Sequence, residues 1–223
     1  MQIKQKFITS NNKGKANGNR PRFIVIHDTG NSKPSADAEN HYRWLQNTPD
    51  TNASAHVFVD DHEAIQIIQY TTPAWHTGKL YVSKPQVPEC SNFNSIGIEF
   101  CINQDGNLTR TLSNTVAVVA QLMEQFNIPL KNVITHQMSA GKKCPSTFIS
   151  NPQLYNQFQY DLKQYIEKKS QKNQAVNQAI TYLHQKGVIK TPEYWINHLH
   201  QIEHLDELLQ NMQQVLMQAE KRD

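Results

Sequence analysis

The chain has too little cysteine to be held together by disulfides. Its three cysteines, Cys90, Cys101 and Cys144, are odd in number, and 223 residues are enough to fold without covalent staples. They point to synthesis in a reducing compartment and leave room for one functional thiolate. Charge is scarce as well. Charged residues make up 18% of the chain and the net charge is +3, short of the concentrated basic face that a nucleic-acid partner requires. No apolar run is long enough to insert in a membrane, and Met1–Phe7 does not lead into the apolar stretch of a secretory signal. The expectation is therefore synthesis in the cytoplasm without a signal peptide. A His-Glu-x-x-His helix, a paired Cys-x-x-Cys knuckle and an internal repeat are also missing.

What is present alternates between strands and helices. Phe23–Ile26 is a continuous apolar run of the kind that forms a buried strand, and it ends at His27. Residues 35–45 read as a helix with Ala38, Tyr42 and Leu45 on one face. Residues 55–60 and 64–69 read as a hairpin turning at Asp60-Asp61. Residues 73–88 lack a period and form a long loop, a type of segment that often carries function. Residues 96–102 read as a strand. Ser113 is expected to cap a helix bearing Val116, Val119, Ala120, Met123 and Phe126, and Val133–His136 is a short strand. Leu154, Phe158, Leu162 and Ile166 then mark an amphipathic helix.

Composition changes at Lys168–Gln174, which reads as a linker, and only helical patterns follow. The expected fold is α/β: a central mixed β-sheet flanked by helices over residues 1–168, with a small α-helical module over 175–223. In that module Pro192 sits where a helix would start. Ile202, Leu205, Leu209, Met212 and Leu216 are spaced as a heptad seam. The stripe is compatible with a core of the module's own helices or with a homo-oligomer.

Two histidines at strand ends and one loop cysteine, His27, His136 and Cys144, suit zinc, and three protein ligands leave a fourth position open. Spacing alone carries this reading only weakly. A stronger pointer comes from five segments in order: Ile26-His27-Asp28-Thr29, Ser54–Asp61, Ala74-Trp75-His76-Thr77-Gly78, Asn94–Glu99, and Thr135-His136 followed by Gly141-Lys142-Lys143-Cys144-Pro145. Together they resemble the type 2 N-acetylmuramoyl-L-alanine amidases, a family that includes phage endolysins and Bacillus-type autolysins and is related to peptidoglycan recognition proteins.

The resemblance implies one Zn2+ per chain held by His27, His136 and Cys144. It implies hydrolysis of the amide between N-acetylmuramic acid and L-alanine in bacterial peptidoglycan. Glu99 matches the family's catalytic acid and Lys142 the lysine two residues before the cysteine. Glu99 would move the proton from water to the leaving amine, and Lys142 would stabilise the oxyanion. Strand alternation puts Glu99 on the face opposite Ile98 and Phe100. His56 reads as a structural or substrate-lining residue. Trp75, with His76 in the long loop, either packs on substrate or anchors the loop to the core.

The implied role is a phage or prophage endolysin of a Gram-positive host, acting on the wall after release. A host autolysin with the same chemistry and a non-catalytic peptidoglycan-binding receptor are the alternatives. By analogy with modular wall enzymes, the C-terminal module, with Tyr194 and Trp195, would target a secondary wall polymer.

Overall fold

The computed structural model describes residues 1–199 and 204–220. It divides into two units, Met1–Tyr165 and Ile166–Asp223. The first is built on a six-stranded sheet. Its strands are β1 (Ile3–Gln5), β2 (Phe23–Asp28), β3 (Val57–Val59), β4 (Ala64–Gln66), β5 (Ser95–Phe100) and β6 (Val133–Thr135), in the spatial order β1-β4-β3-β5-β2-β6. Only β3 and β4 run antiparallel; the other neighbours are parallel. All six residues of β2 are buried, as a central parallel strand requires.

The hairpin between β3 and β4 closes through Asp60. One of its carboxylate oxygens accepts from the backbone N–H groups of His62 and Glu63, both at 2.7 Å. The other accepts from the N–H of Ala38 at 3.0 Å, tying the hairpin to the first turn of α1 (Ala38–Asn47). Helix α2 (Leu108–Phe126) starts earlier than its pattern suggested. Asn107 is the cap, accepting from Arg110 N–H at 3.0 Å, and Ser113 lies inside the helix. An Asx side chain followed by Leu-Thr-Arg caps as well as a serine does, and the apolar period alone does not choose between them. Strand β1 was not anticipated. It alternates Ile3 with Lys4 and Gln5, has half-buried and exposed residues, and carries no apolar run.

Past β6 come two short helices, α3 (His136–Ala140) and α4 (Ser146–Ser150), then α5 (Pro152–Gln185). The expected linker at Lys168–Gln174 is helical, inside α5. Lysine and glutamine favour helix and the segment contains neither Gly nor Pro, so its polarity marks exposure and not a break in the chain.

The second unit adds α6 (Pro192–His198) and α7 (Leu205–Ala219) to the end of α5. Val176, Ala179, Ile180, Leu183, Ile189, Leu205 and Leu209 are buried together, with Trp195, Met212 and Leu216 packed against them. Of the seam residues, Leu205 and Leu209 are buried in the unit's own core and Met212 and Leu216, half-buried, pack against it; Ile202 lies outside the described residues. No described helix is long and apolar enough to cross a membrane.

Candidate metal and catalytic site

The site lies at the carboxyl ends of three adjacent parallel strands, β5, β2 and β6. In open α/β sheets such strand ends form the crevice where ligands bind. His27, near the end of β2, is the register partner of Glu99 on β5, so both side chains leave the same face. Thr135 ends β6 and caps α3 by accepting from Met138 N–H at 3.3 Å, which makes His136 the first residue of that helix. Cys144 lies in the loop beyond α3.

The side chains of His27, His136 and Cys144 are buried, and each offers one donor atom, all within 4.8 Å of one another. Cys144 Sγ is 3.5 Å from His27 Nδ1, and the rings of His27 and His136 meet edge to face at 4.6 Å. Both ring nitrogens of His136 are buried without a hydrogen-bond partner. Buried polar atoms are rarely left so, and each is costly unless something satisfies it. Burial lowers His27 well below the usual histidine range, with His136, His76 and Lys142 acting in the same direction. Burial, then Lys142, takes His136 down to about 4. Both imidazoles are thus neutral, with lone pairs to give. Burial pushes the Cys144 thiol up, against which a divalent cation is the effective counterweight. Two neutral imidazoles and a thiol whose donor atoms converge, with both nitrogens of His136 unsatisfied, fit a zinc ion.

Glu99 stands beside this cluster, its Oε1 4.0 Å from His27 Nδ1 and its Oε2 buried without a partner. Burial raises it to about 8, with Asp28 adding to the rise and Lys142 opposing it. The side chain keeps 19% of its surface open to a groove of about 200 Å³. His27, His136, Trp75, His76 and the exposed Lys142 line the same groove.

Two features hold the cysteine loop. Asp28, next to His27, accepts from Ser146 Oγ at 2.8 Å and from Thr147 N and Oγ1 at 2.7 Å, fixing the start of α4 two residues after Cys144. Gly141 ends α3 at φ 76°, where a Cβ would lie 2.5 Å from a Val82 methyl, so no other residue fits there without displacing the long loop. That loop is itself pinned to α3 by Tyr81 N–H to Ala140 O at 2.8 Å and Val87 N–H to Met138 O at 3.0 Å.

The three residues expected to touch substrate have different fates. His56 is fully buried and spends both nitrogens on the scaffold. Its Nε2–H donates to Thr72 O at 2.9 Å and its Nδ1 accepts from Gly97 N–H at 3.0 Å. It does not line the groove, so its substrate-lining role is withdrawn and its structural reading stands. His76 is buried beneath the groove, with Nδ1 3.1 Å from His27 Nε2. Trp75 is half-buried, packs edge to face on Phe93 at 6.3 Å and still lines the groove, so it both anchors the loop and presents a face.

Sequence reasoning passed over Asp28, His41 and Trp44. His41 and Trp44 extend the groove wall from α1, where His41 stacks on Phe58 at 5.3 Å and Trp44 is 52% exposed. An exposed Trp on an otherwise polar helix face was the available signal.

Residues 17–147 match the N-acetylmuramoyl-L-alanine amidase family. The chain belongs to that family. Among its amidase relatives, XlyA of Bacillus subtilis is 39% identical over 125 residues, covering 56% of this chain and 39% of XlyA. CwlH of the same organism is 34% identical over 150 residues, 67% of this chain and 57% of CwlH. The chain thus spans about two-fifths to three-fifths of the length of these amidases. A solved mutant endolysin from Bacillus subtilis superposes with a TM-score of 0.63 at 35% identity, covering 73% of this chain and 99% of that one.

Proposed function

We propose that this amidase-family chain is a zinc-dependent hydrolase of the bond between N-acetylmuramic acid and L-alanine in peptidoglycan. The observation that carries the reading is the convergence of buried His27, His136 and Cys144 beside a groove-facing Glu99. His27, His136 and Cys144 would hold the ion. Zinc bound there supplies a Lewis acid that polarises a carbonyl and acidifies water.

The other steps belong to the chain. The groove, whose lining includes Trp75 and Trp44, orients the lactyl amide over the cluster. Glu99, a carboxyl poised near neutrality, takes a proton from the attacking water and returns it to the leaving amine of L-alanine. Lys142, exposed at the rim, supplies positive charge to the oxyanion that develops on the carbonyl.

The test is mass spectrometry of Gram-positive peptidoglycan digested by the protein beside Glu99→Gln. Free stem peptides beginning with L-alanine, from the native protein alone, are the expected result. Wall binding without release would instead support a non-catalytic receptor. Chelation followed by zinc restores activity if the metal is required. A thiol mechanism through Cys144 predicts no such recovery.

The endolysin-like fold and the amidase relatives support a lytic role against a Gram-positive wall, as a phage or prophage endolysin, with a host autolysin as the alternative. The second unit is read as a wall-targeting module. Trp195 packs into its core, so Tyr194, exposed and stacked on His198 at 4.2 Å, is left to present an aromatic face to a wall polymer.

A further inference from the structure

His76 has no place in the chemistry described so far, yet it is buried against a ligand histidine. Its surroundings determine which of its nitrogens carries the proton. Ser95 Oγ lies 2.5 Å from the carbonyl oxygen of Ser91. A carbonyl only accepts, and two oxygens this close repel unless a hydrogen lies between them, so the Ser95 hydroxyl donates to Ser91. With its one hydrogen committed, Ser95 Oγ faces His76 Nε2 at 3.1 Å as an acceptor, and the proton of that contact sits on His76 Nε2.

A neutral imidazole carries one proton, so His76 Nδ1 is a bare lone pair. It is aimed at His27 Nε2, 3.1 Å away. His27 must then donate from Nε2, and its own free lone pair is on Nδ1. That is the atom 3.5 Å from Cys144 Sγ. The polarity imposed by one backbone carbonyl runs through Ser95 and His76 to the metal-facing side of His27.

A second observation shows the His76 ring to be seated by design of the sheet. A Cβ on Gly97 would lie 2.7 Å from His76 Cγ and 2.8 Å from Nδ1, so the imidazole occupies the space that any other residue at position 97 would fill. The backbone on either side of the ring is clamped as well, with His76 N–H and Thr77 N–H both donating to Asn92 Oδ1, at 3.1 and 2.8 Å. His136 has no comparable support, since neither of its ring nitrogens has a partner.

We propose that His76 is a positioning residue of the metal centre: with Ser95 and the Ser91 carbonyl it locks His27 in the Nε2–H tautomer and turns Nδ1 toward Cys144 and His136. The proposal rests on the reading of His27, His136 and Cys144 as a zinc set. Outer partners of ligand histidines typically change metal affinity by about 10- to 100-fold. His76→Phe keeps a ring of similar size and removes the acceptor. His76→Gln keeps an acceptor for His27 and a donor for Ser95. Gly97→Ala leaves His76 in the chain and pushes its ring out of place.

The experiment has two arms, both on the whole 223-residue chain. In the first, zinc affinity is measured by competition with a chromophoric chelator. His76→Phe and Gly97→Ala are expected to bind zinc roughly 10- to 100-fold more weakly than the native protein, and His76→Gln to recover most of the loss. In the second, nitrogen NMR of histidine-labelled, metal-free native protein is expected to show His27 protonated on Nε2. This arm needs no variant and so decides the question even if His76→Phe fails to fold. A His27 protonated on Nδ1, or a folded His76→Phe that holds zinc within twofold of native, overturns the proposal. A native protein that takes up no zinc at all overturns the metal reading beneath it, which the affinity arm separates from loss in the variants alone.

Discussion

The two units of this chain bury different things. In Met1–Tyr165 the interior includes His27, His56, His76, His136, Asp28 and Asp60 beside its apolar core, each histidine neutral and most polar atoms partnered. In Ile166–Asp223 the buried residues are aliphatic, and none of the described histidines is buried. The first unit accepts the cost of desolvating polar groups, spending His56, Asp28 and Asp60 on the scaffold and gathering His27, His76 and His136 at the groove. The second buries apolar area and keeps its polar contacts, such as the Lys172–Asp206 and Lys186–Glu220 ion pairs, at its surface.

The sharpest way to test this contrast is to remove one polar group from the first unit. Glu99→Gln changes one atom pair and should lower amide cleavage by about 10²- to 10⁴-fold, with the thermal transition nearly unmoved. Release of L-alanine-terminated peptides measures it. A matching change in the second unit should have the opposite profile. Leu209→Ala, at a site 1% exposed, should destabilise that unit by about 2–5 kcal/mol, while zinc affinity stays at the native value. Denaturant unfolding followed at Trp195 fluorescence reads the first quantity, and chelator competition the second.

Acid should also separate the units. Burial takes His56 down to about 4, below the unfolded value of about 6.5, so the unfolded chain binds the proton first. The stabilisation is fully present above pH 6.5 and is lost as pH falls through the window from 6.5 to 4. His56 alone accounts for about 3 kcal/mol there. Metal-free protein unfolded in denaturant at pH 7 and pH 5 should therefore lose stability in its first unit. Equal stability at both values would contradict the burial of a neutral His56. The smallest effect is expected at the surface of the second unit. Tyr194→Ala should reduce co-sedimentation with purified walls by a few-fold and leave cleavage of soluble muropeptides unchanged. An unchanged pellet would remove the wall-targeting reading.

Much of the first unit was legible because its chemistry coincides with strong local patterns. The apolar run into His27, the hairpin at Asp60 and the strand holding Glu99 are each written in a few adjacent residues. What escaped is written across distance. Strand β1 forms only because β4 offers it an edge to pair with, and its own residues are half polar. His56, beside Ser54 and Ala55, reads from sequence as either structural or substrate-lining, and only the positions of Thr72 and Gly97 show that both nitrogens are already spent. Asp28 was quoted within a motif, but its partners lie well over a hundred residues away, at Ser146 and Thr147. The polar stretch at Lys168–Gln174 misled for the reverse reason. Composition reports solvent, and the backbone there follows helix propensity.

His27 and Cys144 meet across a separation of 117 residues. Closing a loop of that length costs an unfolded chain about 4 kcal/mol in entropy, so the denatured protein is a poor ligand for any ion that needs both. An ion held by this pair is bound by the native state almost exclusively. At free concentrations near a thousand times its dissociation constant it would deepen the native well by about 4 kcal/mol. Metal supply would then set the lifetime of the protein as well as its activity: molecules made where zinc is short would visit the unfolded state more often and be the first cleared by proteolysis.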